Sequence, residues 1–267
     1  MTGVRRRFAL LSFPLALLAV LCEYFLLPTC VPQTGNGELL SLFLSRAFYV
    51  LPVACLIAAG GFRLFSPMPR PDCAGHRLSC GVLLYGALLS LNNLPVRTLL
   101  RGEARVTAPV GSVFLWLLAA LAIGTFEELL FRGFLLPLLL SRSHTPRGVW
   151  VAVLGSSALF GAVHLFNLAG GAAVGATLLQ CGYSALLGAL YAVIFLRTGN
   201  ILPPILLHAV FDFCGYLVPR LGEGALADAP TVAATVLLSL AAGISALAAL
   251  FRLPREAVDR LFLEKTA

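Results

Sequence analysis

Residues 111–140, GSVFLWLLAALAIGTFEELLFRGFLLPLLL, decide the fold of this chain. The stretch is apolar and longer than the ~20 residues that a helix needs to cross the hydrocarbon core of a bilayer. Glu127, Glu128 and Arg132 nevertheless lie inside it. A charge near the bilayer centre costs at least ~2.5 kcal/mol on insertion scales, so ionisable residues inside a span indicate a functional site. The stretch therefore predicts a membrane helix that carries chemistry.

The rest of the chain shares this apolar character. Of its 267 residues 59% are hydrophobic and 12% are charged, and the mean hydropathy is +0.93. These values lie outside the range of soluble globular domains. They predict an all-α polytopic membrane protein with about eight transmembrane helices and a single integral membrane domain over residues 1–267. The ionisable residues inside the spans add a buried active-site cavity to this prediction. The predicted spans are residues 8–27, 39–62, 78–95, 111–140, 149–167, 173–196, 201–218 and 231–251.

The first of these spans follows three arginines, as the apolar part of a signal peptide does. No small-residue cleavage pattern comes after it, which favours an uncleaved first helix. If the N-terminus lies inside, most of the 19 basic residues fall in cytoplasmic loops. The positive-inside rule then predicts that both termini of this multi-pass protein lie in the cytoplasm. We expect the membrane to be a bacterial inner membrane.

One loop departs from the positive-inside rule. It carries Arg97, Arg101 and Arg105 on the predicted outer side, and we expect it to lie on the membrane surface or to re-enter the membrane. The net charge of +7 reflects membrane topology. The arginines form no basic stripe with interleaved aromatic residues, so the sequence predicts contact with the lipid bilayer and none with nucleic acid.

The spacing in the acidic motif of residues 127–132 predicts different roles for its two glutamates. A spacing of four residues places Glu128 and Arg132 on one helix face, where an ion pair lowers the cost of burying both. Glu127 points about 100° away and is available to activate water. The alternative is a helix end at which acids and an arginine merely pair or reach the interface.

Two further motifs carry histidines inside apolar runs. His164 follows Phe160 by four residues, and by itself it is as well explained by packing as by catalysis. His208 and Asp212 are also four residues apart, so the carboxylate can orient the imidazole or share its proton. A purely structural hydrogen bond between these two side chains would give the same pattern.

The order of the three motifs, Glu-Glu-x-x-x-Arg, Phe-x-x-x-His and His-x-x-x-Asp, resembles the CAAX protease and bacteriocin-processing (CPBP, or Abi) family of intramembrane proteases. The resemblance covers residues 111–218 and predicts a catalytic core there. It implies an intramembrane endopeptidase, a hydrolase that cuts a membrane-associated peptide or protein. Prenylated CAAX proteins are the expected substrate only in the eukaryotic branch of the family.

The resemblance also implies a role for each residue. Glu127 would deprotonate the attacking water, and His164 would hold that water and pass protons. Glu128 paired with Arg132 would fix the local geometry.

His208 with Asp212 would stabilise the oxyanion of the tetrahedral intermediate. Many family members have asparagine where this chain has Asp212, and an ionised carboxylate would repel an oxyanion. We therefore expect Asp212 to orient His208 and the imidazole to be the donor.

Three alternatives remain at this point. Glu127, His164 and His208 could bind zinc, although the absence of HExxH and the family resemblance favour a mechanism without a cofactor. A small transporter or proton-coupled carrier also carries acids and histidines in its spans, but it would more often have repeated halves. A non-enzymatic immunity or scaffold protein of the same fold would function without Glu127.

Overall fold

A computed structural model describes residues 3–22, 26–31, 34–66, 73–142, 145–224 and 229–262. Within these residues, six helical segments are long and apolar enough to cross a membrane. They coincide with six of the eight predicted spans, which confirms an all-α polytopic membrane protein. The six segments are Asn36–Gly60, Val110–Leu140, Pro146–Leu168, Val174–Thr198, Leu202–Leu221 and Ala229–Phe251.

The helices are numbered in chain order. They are α1 (Gly3–Leu21), α2 (Leu27–Cys30), α3 (Asn36–Gly60), α4 (Cys73–Asn92), α5 (Val96–Leu100), α6 (Val110–Glu128), α7 (Leu136–Leu140), α8 (Pro146–Ala162), α9 (Val174–Thr198), α10 (Leu202–Leu221), α11 (Ala229–Phe251) and α12 (Glu256–Asp259). A π-helix, Leu129–Leu135, joins α6 to α7, and a 3-10 helix, Val163–Leu168, extends α8.

The two remaining predicted spans correspond to α1 and α4. The first prediction, residues 8–27, includes residues 23–25, which lie outside the described part of the chain. The other, residues 78–95, matches α4, whose apolar part Leu78–Asn92 is shorter than a full crossing requires. The count of eight spans therefore stays a prediction.

The long span Val110–Leu140 changes its helical geometry directly after Glu128. Pro137 lacks the amide hydrogen that an α-helix would direct to the carbonyl of Gly133, and this favours a departure from α geometry upstream. In the resulting π-helix the hydrogen bonds close over five residues, so the four-residue spacing rule of an α-helix does not carry over. Such single turns inside α-helices are frequent at functional sites.

The chain divides into two compact units. The first unit comprises residues 1–61, 89–130 and 205–234, and the second comprises residues 62–88, 131–204 and 235–267. The prediction of one integral domain stays a prediction.

In the first unit, α3 packs against α1 and α6. Its core contains Leu39, Trp116 and Leu221, and the Trp116 indole donates to the carbonyl of Phe213 at 3.2 Å. Two side chains before α5 also bind the backbone of α10. Ser90 donates to the carbonyl of Leu207, and Asn93 donates to that of Phe211, each at 2.9 Å. These bonds fix α10 on both sides of His208.

The arginine-rich loop of the first unit is partly ordered by strand pairing. Strand β1 (Ala104–Val106) pairs antiparallel with β2 (Gly222–Gly224), with Arg105 opposite Glu223. The two side chains form an ion pair at 3.1 Å. The loop that carries Arg97, Arg101 and Arg105 therefore consists of α5 and one strand of a two-stranded antiparallel sheet.

In the second unit, α8 and α9 cross closely at two glycines. A Cβ added to Gly161 would lie 2.5 Å from the carbonyl oxygen of Cys181, and one added to Gly188 would lie 3.2 Å from Ser157. Small residues that let backbones approach are the usual basis of helix packing in membranes. Arg197 at the end of α9 is buried and donates to the carbonyls of Ala249 and Arg252. Its side chain therefore caps the C-terminal end of α11.

Candidate active site

His208 lies among three carboxylates in the first unit. Its Nδ1 is 2.9 Å from Oε1 of Glu128, a distance at which an N–H group donates to a carboxylate oxygen. Its Nε2 is 3.5 Å from Oδ2 of Asp212 and 3.8 Å from Oε2 of Glu127. Both ring nitrogens of this buried imidazole therefore face acidic groups.

Two helices supply these groups. Glu127 and Glu128 are consecutive at the end of α6, and their side chains point about 100° apart. Both reach His208 because the two nitrogens of an imidazole point in different directions. Asp212 lies one turn after His208 on α10, which brings its carboxylate to the same face.

Close contact between α6 and α10 makes these distances possible. Gly124 lies one turn before Glu128 on α6. A Cβ at this glycine would lie 3.1 Å from both the Ala209 nitrogen and the Ile205 carbonyl oxygen of α10. Both neighbouring atoms are backbone and cannot move aside as a side chain does. Glycine at this position therefore sets the separation at which a glutamate on α6 reaches a histidine on α10.

The three carboxylates differ in accessibility. The Glu128 side chain is 0% exposed, whereas those of Glu127 and Asp212 are 21% and 17% exposed. The contact at Nδ1 is thus fully enclosed, and the contacts at Nε2 lie beside accessible space. This arrangement lets Glu128 hold the ring while Glu127 and Nε2 meet a small molecule such as water.

Arg46 adds a positive charge near this group. It lies on α3 and acts electrostatically on Glu127. Its guanidinium carbon is 5.9 Å from the centre of the Tyr49 ring, and that ring packs at 5.5 Å against Phe126. Arg46 is missing from the predicted site, although an arginine within the apolar run 39–62 was a signal that could have identified it.

Arg132 belongs to the second unit, where aromatic rings surround it. The residue is 1% exposed, and its guanidinium carbon lies 4.3 Å from the ring centre of Phe160 and 5.7 Å from that of Tyr191. Gly188 leaves room for it, because a Cβ there would lie 3.1 Å from Nη2. These cation–π contacts help to offset the cost of burying a guanidinium. The predicted ion pair between Arg132 and Glu128 stays a prediction.

His164 also belongs to the second unit. It lies on the 3-10 helix and is half-buried, with its ring edge-on to that of Phe160 at 5.7 Å. Phe160 therefore contacts both Arg132 and His164, which gives the Phe-x-x-x-His spacing a physical basis. The approach of His164 to Glu127 stays a prediction.

Zinc at a catalytic site takes three protein ligands and keeps one open position. In the described parts of the chain, no group of three or more His, Cys, Asp or Glu side chains is arranged to hold a metal ion. Because Nδ1 of His208 contacts Glu128, only its Nε2 is available to bind a metal ion. Both the metal-free mechanism and the zinc alternative with Glu127, His164 and His208 stay predictions.

Comparison with known proteins agrees with the predicted family. Residues 109–214 match the family model described as "Type II CAAX prenyl endopeptidase Rce1-like". This match confirms the resemblance to the CAAX protease family, and it supports a membrane protease that acts as an intramembrane endopeptidase. No curated protein and no solved structure matches the chain significantly.

Proposed function

We propose that this chain is an intramembrane endopeptidase that hydrolyses a peptide bond of a membrane-associated substrate. Water is activated by Glu127 with His164, and the oxyanion is stabilised by His208. The observation that carries the proposal is the buried imidazole of His208 between an enclosed carboxylate, Glu128, and an accessible one, Glu127, within the segment that matches the protease family.

Glu127 is the general base. Its carboxylate is partly exposed, and the atom of His208 nearest to it is Nε2 at 3.8 Å. This separation is too long for a direct hydrogen bond, and a water molecule beside the two groups can contact both. A water held there loses its proton to Glu127 as it attacks the carbonyl carbon, and His164 relays that proton towards the leaving amine.

His208 donates the hydrogen bond to the oxyanion. Its contact with Glu128 at Nδ1 determines that Nε2 is the donating nitrogen. With Nδ1–H donating to Glu128, a neutral ring has a lone pair at Nε2 and cannot donate there. Stabilisation of an oxyanion from Nε2 therefore requires the imidazolium form. The nearby carboxylates of Glu127 and Asp212 compensate that charge, and the low-polarity surroundings strengthen the donated bond.

Glu128, Arg132 and Asp212 are positioning residues in this account. Glu128 holds the ring through its enclosed contact at Nδ1. Arg132, held among aromatic rings, fixes the π-helix that follows Glu128. Asp212 holds the other edge of the imidazole at 3.5 Å.

The substrate is a membrane-anchored peptide or protein that enters from the bilayer. The long apolar helices and the family match support this choice. The protein is an integral membrane protein, and we place it in a bacterial inner membrane with both termini in the cytoplasm. Hydrolysis proceeds without a metal.

The proposal is tested by reconstituting the full chain in liposomes with a panel of membrane-anchored peptides, prenylated and unmodified, and identifying the fragments by mass spectrometry. We expect cleavage of at least one peptide and a loss of 100-fold or more in Glu127→Gln, since general bases contribute ~10²–10⁴-fold. The matched control is Glu103→Gln, an exposed glutamate in the loop before β1. A scaffold or carrier function predicts no cleavage of any peptide, or equal cleavage by both variants.

A further inference from the structure

A cavity in the second unit carries positive charge at the ends of two membrane helices. It has a volume of about 400 Å³ and lies between the start of α8 and the end of α11. Arg147 and Arg255 line it together with Trp150 and Phe251, whose rings are in edge-to-face contact at 4.6 Å. Buried Val149, Leu250 and Val258 form its apolar floor. We call this cavity the arginine pocket.

The two arginines are the charged residues among those described as lining the arginine pocket. Both are exposed, and no acidic residue occurs among the described residues that line the cavity. Arg147 also lies in the first turn of α8, where the helix dipole adds positive potential. Trp150 is of the residue type that marks the level of lipid headgroups. An anionic group at that level is the complementary ligand.

An apolar groove follows the same two helices further along their length. It has a volume of about 440 Å³ and is lined by Leu154 and Ala158 of α8, by Ala185 and Ala189 of α9, and by Gly243 and Leu247 of α11. The hydroxyl of Ser157, which also borders the groove, donates to the carbonyl of Val153 at 2.6 Å. Its polar atom is therefore satisfied within α8, and the groove presents hydrocarbon.

The length of the groove fits one leaflet of a bilayer. Ala158 lies eleven positions after Arg147, which is about 16 Å along a helix. Half of a ~30 Å hydrocarbon core is about 15 Å. A lipid tail that starts at the arginines would therefore follow the groove to the bilayer midplane. A membrane-spanning peptide helix would require twice that length.

From the charge of the pocket and the length of the groove, we propose that the second unit binds an anionic phospholipid. The phosphate lies between Arg147 and Arg255, and one acyl chain occupies the groove between α8, α9 and α11. The positive-inside rule predicts that this end of the helices lies at the cytoplasmic leaflet, which is the leaflet rich in anionic lipids. The site shares no residue with the group of carboxylates around His208 and does not depend on the proposed proteolysis.

The test is a lipid titration of the purified full chain, followed by native mass spectrometry. The probes are phosphatidylglycerol, phosphatidylcholine with the same acyl chains, and soluble glycerol phosphate. We expect phosphatidylglycerol to bind more tightly than phosphatidylcholine, and glycerol phosphate not to bind. Each arginine at an anionic lipid surface contributes roughly fivefold, so the double variant Arg147→Gln/Arg255→Gln should lose roughly 25-fold in affinity for phosphatidylglycerol.

The control has the same net charge and leaves the pocket intact. It is Arg63→Gln/Arg142→Gln, which changes two exposed arginines of the second unit that do not line the cavity. This control should bind phosphatidylglycerol as the unchanged protein does. Ala158→Phe, which fills the groove from an exposed position, should weaken binding of both phospholipids.

Several results would overturn the proposal. Equal losses of affinity in the two double variants would show that net charge alone causes the effect. Binding of glycerol phosphate as tight as that of the lipid would assign the pocket to a free anion. A dimer that disappears in Ala158→Phe, with lipid binding unchanged, would assign the groove to a second copy of the chain.

Discussion

The imidazole Nδ1 of His208 lies 2.9 Å from Oε1 of Glu128, although 80 positions separate the two residues in the chain. The contact joins the end of α6 to the middle of α10, and it leaves Nε2 directed at Glu127 and Asp212. Glu128 therefore fixes the ring, while Glu127 and Nε2 face the same accessible space.

Glu128→Ala should destabilise the protein strongly. The substitution leaves the buried Nδ1 of His208 without its acceptor, and breaking a buried charged pair typically costs about 3–5 kcal/mol. The measurement is thermal unfolding of the purified protein in detergent. Glu38→Ala is the control, because its pair with Arg220 is exposed and should be worth at most ~1 kcal/mol. Equal destabilisation by both substitutions would refute an enclosed anchoring role for Glu128.

Glu128→Gln should separate stability from catalysis. The amide oxygen can still accept from Nδ1–H, so we expect most of the stability to return. The negative charge that supports an imidazolium is lost, and peptide cleavage should fall by at least about tenfold. Cleavage assays and unfolding on the same preparation measure both effects. Full activity in this variant would show that the charge of Glu128 has no part in catalysis.

Asp212→Asn should retain activity. The carboxylate lies 3.5 Å from Nε2, and an asparagine oxygen at the same place can still orient the ring. We expect turnover within about tenfold of the unchanged protein, since one hydrogen bond to a charged group is worth ~1.5–3 kcal/mol and an amide replaces it in part. Asp212→Ala removes the contact and should lose more. Complete inactivity of Asp212→Asn would point to a charge-dependent role for this residue.

Gly124→Ala should lower both activity and stability. The new Cβ would meet the Ala209 nitrogen and the Ile205 carbonyl at 3.1 Å, so α6 and α10 must separate, at a cost of about 1–3 kcal/mol. Glu127 and Glu128 then move away from His208. Gly111→Ala at the start of α6 is the matched control, since a Cβ there meets nothing within 4 Å. Similar behaviour of the two variants would mean that close helix contact does not position the site.

Chelation should leave proteolysis unchanged. The metal-free mechanism assigns water activation to Glu127, so peptide cleavage after treatment with 1,10-phenanthroline should equal that of untreated protein. Elemental analysis of the active, treated protein verifies that no zinc remains. Loss of cleavage that added zinc restores would favour the alternative in which Glu127, His164 and His208 bind the metal.

The sequence predicts the long helices well, because an apolar run long enough to cross a bilayer has few other stable structures. Residues 111–140 and 173–196 correspond to Val110–Leu140 and Val174–Thr198. The shorter features are not visible in this way. Strands of three residues such as Gly222–Gly224 carry no periodicity, and the π-helix Leu129–Leu135 depends on local hydrogen bonding that apolar composition does not encode.

The same limit applies to the candidate site. The pairing of His208 with Asp212 follows from helical spacing, which acts within one segment. The contact of Glu128 with His208 depends on how α6 packs against α10, and no local pattern specifies it. The aromatic surroundings of Arg132 likewise come from Phe160 and Tyr191 on other helices, so the sequence indicates only that a buried arginine needs some compensation.

In the proposed mechanism Glu127 activates a water molecule beside His208. This step is tested most directly by a single turnover in water enriched in ¹⁸O, with excess protein over a cleaved membrane-anchored peptide. We expect the new carboxylate of the peptide fragment to carry the label after this first turnover and Glu127 to carry none. Label in the Glu127 side chain, with an unlabelled first product, would show direct attack by the carboxylate and contradict general-base catalysis by Glu127.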